Sequence, residues 1–552
     1  MGELASLLLT MSLVTSETYD YIIAGAGTAG CVLARRLSDQ PDCRVLLLEA
    51  GPPADDFWIR TPAGMAKLFK SERYNWRFYT EPVPTMCDRR LYWPRGKTLG
   101  GCSAVNGMVH FRGNRDDFDQ WQRMGATGWG WDDVLPYFKR SETNVRGAGP
   151  YHGGNGPLYV GDPSVTHPSV LDFVEAAART GVPRVDVFSG LEHEGAGVVQ
   201  VNIRDGIRQT AYDAFVAPVQ NRPNLVVRTG VHVRRVVFDG RTATGVEVLE
   251  DGRIHTYKAQ EEVIISSGAL GSPHLLMLSG IGDGDMLQRH GVQTIAHVPG
   301  VGLNLQDHCS LRVQALCTPD SSYNHALNGW RKYWQGFRYV MTKKGYLALP
   351  SSSAAIFIKS SPEIEYADLE ISFRPMTFTY KDSGRVDVDE YHAMGASVYR
   401  VRPASRGEVR LNSADPMKAP AFVPNYLEHP EDVQASLVGL RKLRAILNTE
   451  PMRSRVVAER VPGPDVQSDE QLIDFMRREG HCSFHPAGSC KMGVDDMAVV
   501  DPRLKVRGVD RLRVIDASIM PTVTSGNTNA PTVMIGEKGA DLVLADRGAP
   551  GA

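Results

Sequence analysis

The N-terminal region contains the segment that most limits how this chain can fold. An apolar run at 19–24 leads directly into the turn 25–30, whose sequence is Gly-Ala-Gly-Thr-Ala-Gly, and then into a segment with helical periodicity. A second apolar run at 44–48 ends on Glu49. Strand, G-x-G-x-x-G turn, helix, strand and carboxylate, in this order, are typical of a βαβ unit that binds a dinucleotide.

Each part of this unit has a physical role in holding a nucleotide. Gly25 permits a tight turn, Gly27 lets the backbone approach a pyrophosphate, and Gly30 lets the helix pack closely on the strand. The free N–H groups at the helix N-terminus attract phosphate. Glu49 can accept hydrogen bonds from both ribose hydroxyls. This argues against the 2′-phosphate of NADP and leaves FAD and NAD open.

Length and composition exclude several classes of protein. With 552 residues the chain is too long for a single core, so we expect at least two domains. Its net charge of −2 gives no support for a nucleic-acid partner. The eight cysteines form no C-x-x-C pair, which argues against zinc and redox dithiol sites and favours a reducing, cytoplasmic location. Residues 4–14 are moderately apolar but lack the features of a signal peptide.

Two further segments are rich in small residues. Residues 96–107 read Gly-Lys-Thr-Leu-Gly-Gly-Cys-Ser-Ala-Val-Asn-Gly, which indicates close approach of the backbone to a flat or phosphorylated ligand, or else a plain loop. Residues 262–282 read as a buried strand followed by small residues, so the carboxyl edge of a sheet can lie against the nucleotide.

These two segments resemble the two signatures of the glucose–methanol–choline (GMC) flavoprotein oxidoreductases. The resemblance covers about 18–545, and the first signature departs from the usual pattern only at Cys102. It implies the GMC fold, with an α/β Rossmann-type FAD-binding domain at 18–310 completed by 476–545. Residues 311–475 would then form an α+β substrate domain with an antiparallel sheet. Val105 stands where some members attach FAD through a histidine, so the resemblance implies non-covalent FAD.

The motifs and the resemblance together give a set of expected cofactor contacts. Asp516 is expected near the ribityl or pyrophosphate group, with capping of the next turn as the alternative, and the backbone near Val233 is expected beside the adenine. The helix that begins near Pro531 is expected to face the flavin, where its N-terminus would stabilise the negative charge of the reduced form. The expected contacts are Gly25, Gly27, Thr28, Ala29, Gly30, Glu49, Ala50, Trp76, Gly100, Gly101, Ser103, Asn106, Val109, Val233, Asp516, Ala517, Asn527, Pro531 and Thr532.

Two residues are expected to carry the chemistry. Alcohol oxidation by a flavin requires a base for the hydroxyl proton, and an imidazole serves this purpose near neutral pH. His485 is the candidate base, and Asn527 would hydrogen-bond the same substrate oxygen. In the GMC pattern the first position is His and the second is His or Asn, so both match. His481 lies four residues earlier without further ligands, so we interpret it as a first-turn or surface histidine and predict no metal.

The resemblance implies oxidation of a primary alcohol to an aldehyde, with hydride passing to flavin N5. Choline-specific members carry a glutamate shortly after the Asp-His that is Asp307-His308 here. This chain has Cys-Ser-Leu at 309–311, so we favour a neutral alcohol over choline. The alternatives are choline dehydrogenase or oxidase activity, lyase or decarboxylase chemistry on the same fold, an NAD-dependent dehydrogenase and a non-catalytic flavin protein. The electron acceptor is a quinone, another carrier or O2, and we favour dehydrogenase chemistry by analogy.

Local patterns predict further elements. Helical periodicity indicates helices at about 116–138 and 430–447, and alternating patterns indicate paired strands within 225–238 and between 398–401 and 407–411. An apolar, largely aromatic stripe flanked by basic residues follows helical spacing at 330–341. It indicates either a helix at a membrane interface or, as we favour, a helix packed on its own protein.

Overall fold

The computed structural model describes residues 17–380 and 386–547, so the apolar N-terminal segment lies outside the described residues. The predicted βαβ unit is present, as strand Thr18–Ala24, helix Thr28–Leu37 and strand Val45–Glu49. The two strands are parallel neighbours, and the first also pairs in parallel with the end of strand Arg253–Ile265. Both strands are almost wholly buried, as their continuous apolar runs predict.

The nucleotide-side sheet is curled. Among the described residues its strands follow in the order Leu225–Thr229, Val45–Glu49, Thr18–Ala24, Arg253–Ile265, Thr242–Glu250 and His232–Asp239, and Leu512–Val514 also pairs with the fourth. The first and last strands of this order are separated by only two residues of chain. Because those residues can bridge only a short gap, the antiparallel part of the sheet must fold back over the parallel part. The long strand Arg253–Ile265 makes this bend, pairing at one end with Thr242–Glu250 and at the other with Thr18–Ala24.

The second large sheet is antiparallel, as predicted for the substrate domain. Its strands in the described chain are Val456–Val461, Cys309–Cys317, Ala393–Arg400, Leu369–Arg374, Ala354–Ile358 and Gly195–Val198, with His481–Cys482 also paired to the second. The edge strand Gly195–Val198 comes from within the range predicted for the cofactor domain. Its sequence, Gly-Ala-Gly-Val, has too little β-branched or alternating character to be recognised as a strand. The two sheets therefore interleave along the chain, whereas the predicted limits 18–310 and 311–475 separate them.

Helices and short elements complete the described structure, and none of its helices is long and apolar enough to cross a bilayer. The remaining α-helices are Phe57–Arg60, Met65–Leu68, Arg115–Arg123, Trp131–Ser141, Pro168–Arg179, Gly268–Leu278, Gly284–Arg289, Arg331–Thr342, Pro430–Leu447, Met452–Arg455, Asp469–Glu479 and Asn529–Arg547. The short strand pairs are Phe78–Tyr79 with Tyr92–Trp93, Glu142–Asn144 with Leu158–Val160, Ile203–Arg204 with Ile207–Arg208, Ile281–Gly282 with Ala296–His297, Phe378–Tyr380 with Val386–Val388, and Glu408–Arg410 with Ala421–Val423.

Three local predictions need correction, whereas the predicted helix 430–447 is confirmed. The helix predicted at 116–138 is two helices, because the glycines between them at 125 and 128 adopt positive φ. The strands within 225–238 do not pair with each other but lie at opposite ends of the curled sheet. Strand Ala393–Arg400 does not pair with Glu408–Arg410, which bonds to Ala421–Val423 instead. Sequence periodicity identifies strands, whereas their partners depend on the tertiary fold.

The prediction that the aromatic stripe packs on its own protein is also wrong. The segment is helical, as helix Arg331–Thr342, but the side chains of the stripe are exposed.

Candidate active site

One cavity of about 600 Å³ is lined by both sheets, and most of the predicted site residues reach it. This size is typical of sites that bury an organic ligand. The predicted residues that line it are Gly25, Gly27, Thr28, Ala29, Glu49, Ala50, Trp76, Gly101, Asn106, Val109, Val233, His485, Asp516, Ala517, Asn527 and Thr532. Gly30, Gly100, Ser103 and Pro531 do not line it.

Glycine is required where the two N-terminal motifs meet. Gly25 has φ +111°, and a Cβ atom there would lie 2.5 Å from the carbonyl oxygen of Ser266. Gly101 has φ +52°, and a Cβ atom there would lie 2.7 Å from the Cα atom of Gly27. Contacts this short are not found for real side chains. A larger residue would therefore push Gly25 away from Ser266, or Gly101 away from Gly27. The cavity wall at this end is therefore bare backbone, as an extended diphosphate requires.

Two helix N-termini face the same end of the cavity. Thr28 and Ala29 begin helix Thr28–Leu37, whose N-cap residue makes no capping hydrogen bond through a side chain. Asn529 and Thr532 lie in the first turn of helix Asn529–Arg547, and the Thr28 hydroxyl donates to Asn529 Oδ1 at 2.9 Å. Backbone N–H groups and positive helix dipoles therefore converge here, which suits an anion.

Glu49 lies at the end of its strand, inside the cavity wall. Its carboxylate accepts hydrogen bonds from the backbone N–H groups of Gly51 at 2.8 Å and Ala26 at 3.2 Å. Burial raises the pKa of Glu49 to about 7, against the opposing effect of these two donors. Ribose hydroxyls are the kind of polar partner that this buried group needs.

Two further residues are fixed by hydrogen bonds around the cavity. The Asp516 carboxylate accepts bonds from the backbone N–H groups of Ser518 at 2.7 Å and Gly268 at 2.8 Å, so it caps the next turn. Because Asp516 also lines the cavity, its contact with the ribityl or pyrophosphate group stays a prediction. The buried Arg208 guanidinium donates to the carbonyl oxygens of Ile59 at 2.9 Å and Asn106 at 2.6 Å. Burial lowers the pKa of Arg208 to about 9. Arg208 thereby fixes the loop 101–107, and no local motif indicated this role.

The two predicted catalytic side chains meet at the cavity. Asn527 Nδ2 lies 2.7 Å from His485 Nε2, although the residues are 42 positions apart. His485 is buried, and burial lowers its pKa well below the ordinary histidine value, with the positive charge of Arg95 adding to the effect. The imidazole is therefore neutral at neutral pH, with one nitrogen able to accept a proton.

The hydrogen-bond chain behind His485 determines which nitrogen that is. His308 Nε2 lies 3.0 Å from the carbonyl oxygen of Val401, which can only accept, so this nitrogen carries the proton. Burial lowers the pKa of His308 to about 4, so the ring is neutral at neutral pH. Its Nδ1 is therefore unprotonated and carries a lone pair. That Nδ1 lies 3.0 Å from His485 Nδ1, which must therefore donate. His485 Nε2 is then unprotonated, and it accepts a hydrogen bond from the Asn527 amide.

Asp307 and its surroundings hold the backbone of His485. Asp307 Oδ1 accepts the His485 backbone N–H at 2.7 Å, and Oδ2 accepts the Tyr426 hydroxyl. Phe484, just before the base, has φ +68°, an uncommon conformation for a residue with a side chain. The adjacent pair Asp307-His308 thus fixes the backbone and the ring of the base together. No local motif indicated this role, because 177 positions separate the two histidines.

The wall formed by the antiparallel sheet is polar and basic. Its lining residues include Ser310, Arg312, Ser372, Arg374, Ser397 and Tyr399. His481 also lines the cavity, in strand His481–Cys482, with Nδ1 3.5 Å from Arg312 Nη2. Our interpretation of His481 as a first-turn or surface histidine is therefore wrong. The alternation of small polar residues along three strands is a weak signal that only the assembled sheet makes readable.

A bare-backbone cradle for a dinucleotide, joined to a neutral histidine beside an amide, is typical of an oxidoreductase that uses a nucleotide cofactor. Comparison with known proteins agrees, because the GMC oxidoreductase family matches residues 19–310 and 403–536. The chain belongs to the GMC oxidoreductase family, as the two signatures indicated, and it has that family's fold. Its cofactor is FAD.

Relatives and solved structures match over nearly the whole chain. Mitochondrial choline dehydrogenase of Mus musculus is 40% identical over 539 residues, covering 96% of this chain and 90% of that protein. Alcohol dehydrogenase [acceptor] of Pseudomonas putida is 40% identical over 531 residues, covering 95% of this chain and 96% of that protein. A formate oxidase structure from Aspergillus oryzae, solved to study modification of its FAD, superposes with a TM-score of 0.88 at 29% identity. The match covers 96% of this chain and 99% of that chain.

The cavity fits FAD. The glycine approach and the two helix N-termini match a pyrophosphate, and Glu49 matches a ribose diol. The start of helix Asn529–Arg547 lines the same cavity as His485 and Asn527, and its position beside the flavin stays a prediction.

Proposed function

We propose that this enzyme oxidises a neutral primary alcohol to an aldehyde, with His485 as the base that takes the hydroxyl proton. The observation that carries the proposal is the lone pair on His485 Nε2, which follows from the chain of bonds through His308 to the Val401 carbonyl. When bound, FAD supplies the acceptor for the hydride that leaves the substrate carbon.

The protein residues then have separate tasks. When the substrate binds, the Asn527 amide exchanges its bond to His485 Nε2, 2.7 Å away, for a bond to the substrate oxygen, and so holds that oxygen beside the base. His485 Nε2 accepts the hydroxyl proton, while Nδ1 keeps its bond to His308. Because burial lowers the pKa of His485, the protonated ring readily gives up its proton once the aldehyde has formed. We propose that the cofactor is held without a covalent link, since Val105 offers no nucleophile at the cavity wall.

The charge of the cavity wall supports a neutral substrate over choline. Arg95, Arg312 and Arg374 line the cavity near the base, and no acidic side chain of the described residues lines the antiparallel wall. Glu370 is buried and does not line the cavity, and burial raises its pKa to about 8, so it is mostly protonated at neutral pH. A quaternary ammonium is best held by an aromatic cage with a carboxylate. The names of the choline dehydrogenase relatives favour choline instead, so the substrate charge needs a direct test.

The test compares choline with 3,3-dimethylbutan-1-ol, which has the same shape and no charge. We expect the neutral alcohol to reduce the bound flavin under anaerobic conditions, with a kcat/KM at least about ten-fold above that of choline. Equal or better turnover of choline would contradict the proposed substrate class while leaving the mechanism intact. Flavin that no alcohol reduces would contradict alcohol oxidation and favour lyase chemistry.

We also propose a carrier, such as a quinone, as the electron acceptor rather than oxygen. The likeness to alcohol dehydrogenase [acceptor] of P. putida supports this choice. Readmission of air to the reduced enzyme tests it, since reoxidation should be slow compared with turnover in the presence of an artificial quinone. Fast reoxidation by air would identify an oxidase.

A further inference from the structure

Helix Arg331–Thr342, here called the aromatic helix, exposes an apolar stripe. Trp330 and Tyr333 are each 71% exposed, and Met341 is 67% exposed. The whole stripe follows helical spacing and comprises Trp330, Tyr333, Trp334, Phe337, Val340 and Met341. Isolated exposed apolar residues are ordinary, whereas a continuous row of this kind marks a surface that contacts something else.

The helix is attached to the protein by its opposite side. Gln335 and Tyr339 are its only residues classed as buried, and they lie on the face away from the stripe. The Tyr339 hydroxyl donates to the Gly206 carbonyl oxygen at 3.0 Å, and the Tyr339 ring contacts Phe57, itself 46% exposed. The stripe therefore points away from the described protein and cannot reach the core without unpacking the helix.

The charge around the stripe has one sign. Residues 321–362 contain no aspartate or glutamate, although the chain as a whole carries a net charge of −2. Within this region, the aromatic helix and the residues just after it carry Arg331, Lys332, Arg338, Lys343 and Lys344. The Arg331 guanidinium lies over the Trp330 ring at 5.7 Å, and the Lys332 ammonium over the Tyr333 ring at 5.1 Å. Cations beside amphipathic aromatic rings match a layer of anionic headgroups above acyl chains.

We propose that the aromatic helix docks the enzyme on the surface of an anionic bilayer, with the stripe inserted among the lipid headgroups. A second copy of this chain fits the surface less well. A two-fold contact of the stripe with itself would place the same basic residues of both copies against each other. The inference goes beyond the proposed reaction and does not depend on it.

Docking would bring the active-site cavity close to the membrane. A single 3-10 turn, Tyr346–Ala348, connects the aromatic helix to Ser351 and Ser352, which line the cavity. Met65 and Phe69, which follow Phe57 in the chain, line the same cavity. Membrane-dissolved substrates or carriers would thus have a short path to the site.

The test uses the purified holoenzyme and vesicles of phosphatidylcholine, with or without about 30 mol% phosphatidylglycerol, in a sedimentation assay. We expect binding to the anionic vesicles that weakens with salt. The variant Trp334→Ser/Phe337→Ser should bind at least about ten-fold more weakly. Neutralising Arg331 and Arg338 with glutamine should weaken binding about five-fold per charge at low salt. As a matched control, Leu171→Ser/Leu191→Ser removes two exposed apolar residues elsewhere and should change nothing.

Two results would overturn the proposal. One is the absence of binding to anionic vesicles by the wild-type holoenzyme, or binding that the stripe variant leaves unchanged. The other is a stable dimer in solution that the stripe variant converts to a monomer, which would make the stripe an interface between copies. Flavin absorbance and alcohol turnover of each variant in detergent-free buffer should equal those of the wild type, which separates loss of docking from loss of folding.

Discussion

Replacement of His308 by phenylalanine tests the structural basis of the proposed base. Phenylalanine keeps a ring in the buried site but removes the lone pair that accepts the His485 Nδ1–H at 3.0 Å. A buried donor left without an acceptor costs about 1–3 kcal/mol. Alternatively, His485 can adopt the other tautomer, in which its proton moves from Nδ1 to Nε2. Nε2 then has no lone pair with which to accept the substrate proton. Either route raises the barrier to proton transfer.

The expected loss in kcat/KM follows from that energy. A barrier higher by about 1–3 kcal/mol corresponds to a rate lower by about 5- to 150-fold. His308→Asn is the matched control, because the amide oxygen of asparagine can take the place of the Nδ1 acceptor, and it should stay within about five-fold of the wild type. Both variants should retain FAD, since His308 does not line the cavity.

The assay is alcohol-dependent reduction of an artificial acceptor, measured across pH on enzyme of known flavin content. The bond from His485 Nδ1–H to the neutral His308 favours the protonated His485 ring, so its loss should lower the pKa of His485 and move the acid limb of kcat/KM to lower pH in His308→Phe. A purely structural role would change stability or FAD content without moving this limb. An unchanged kcat/KM and pH profile in His308→Phe, at full FAD occupancy, would refute the deduced tautomers.

Three further predictions concern the base and the cofactor cradle. Because burial lowers the pKa of His485, the wild-type kcat/KM should stay constant as pH falls to 6.5 and decline only below it; a decline beginning above pH 7 would contradict this. Gly101→Ala should purify with little FAD, since its Cβ atom would meet Gly27, whereas Gly149→Ala, in open space, should keep the wild-type flavin absorbance. Arg208→Met should weaken FAD retention and lower the melting temperature, because each buried carbonyl left unpaired costs about 1–3 kcal/mol. An unaltered melting temperature would show that loop 101–107 keeps its conformation without Arg208.

Chemistry encoded in contiguous residues was readable from the sequence. The βαβ unit was recognisable because its turn, helix and carboxylate follow one another along the chain, and strand pairing confirms it. The family, its fold and its FAD cofactor were recognisable from two short signatures. The candidate base and its amide partner came from the same resemblance, and the structure brings them within 2.7 Å of each other.

Relationships between distant segments were decided by the tertiary structure alone. Periodicity indicates that a segment is a strand or an amphipathic helix, but what lies against it depends on the rest of the fold. The sequence therefore could not show that strands 225–229 and 232–239 lie at opposite ends of a curled sheet. The same limit applies to the aromatic helix, whose stripe was readable but whose exposure was not. His308 fixes the tautomer of His485 only because folding removes both rings from water and places a carbonyl behind one of them, and neither condition exists in the linear chain.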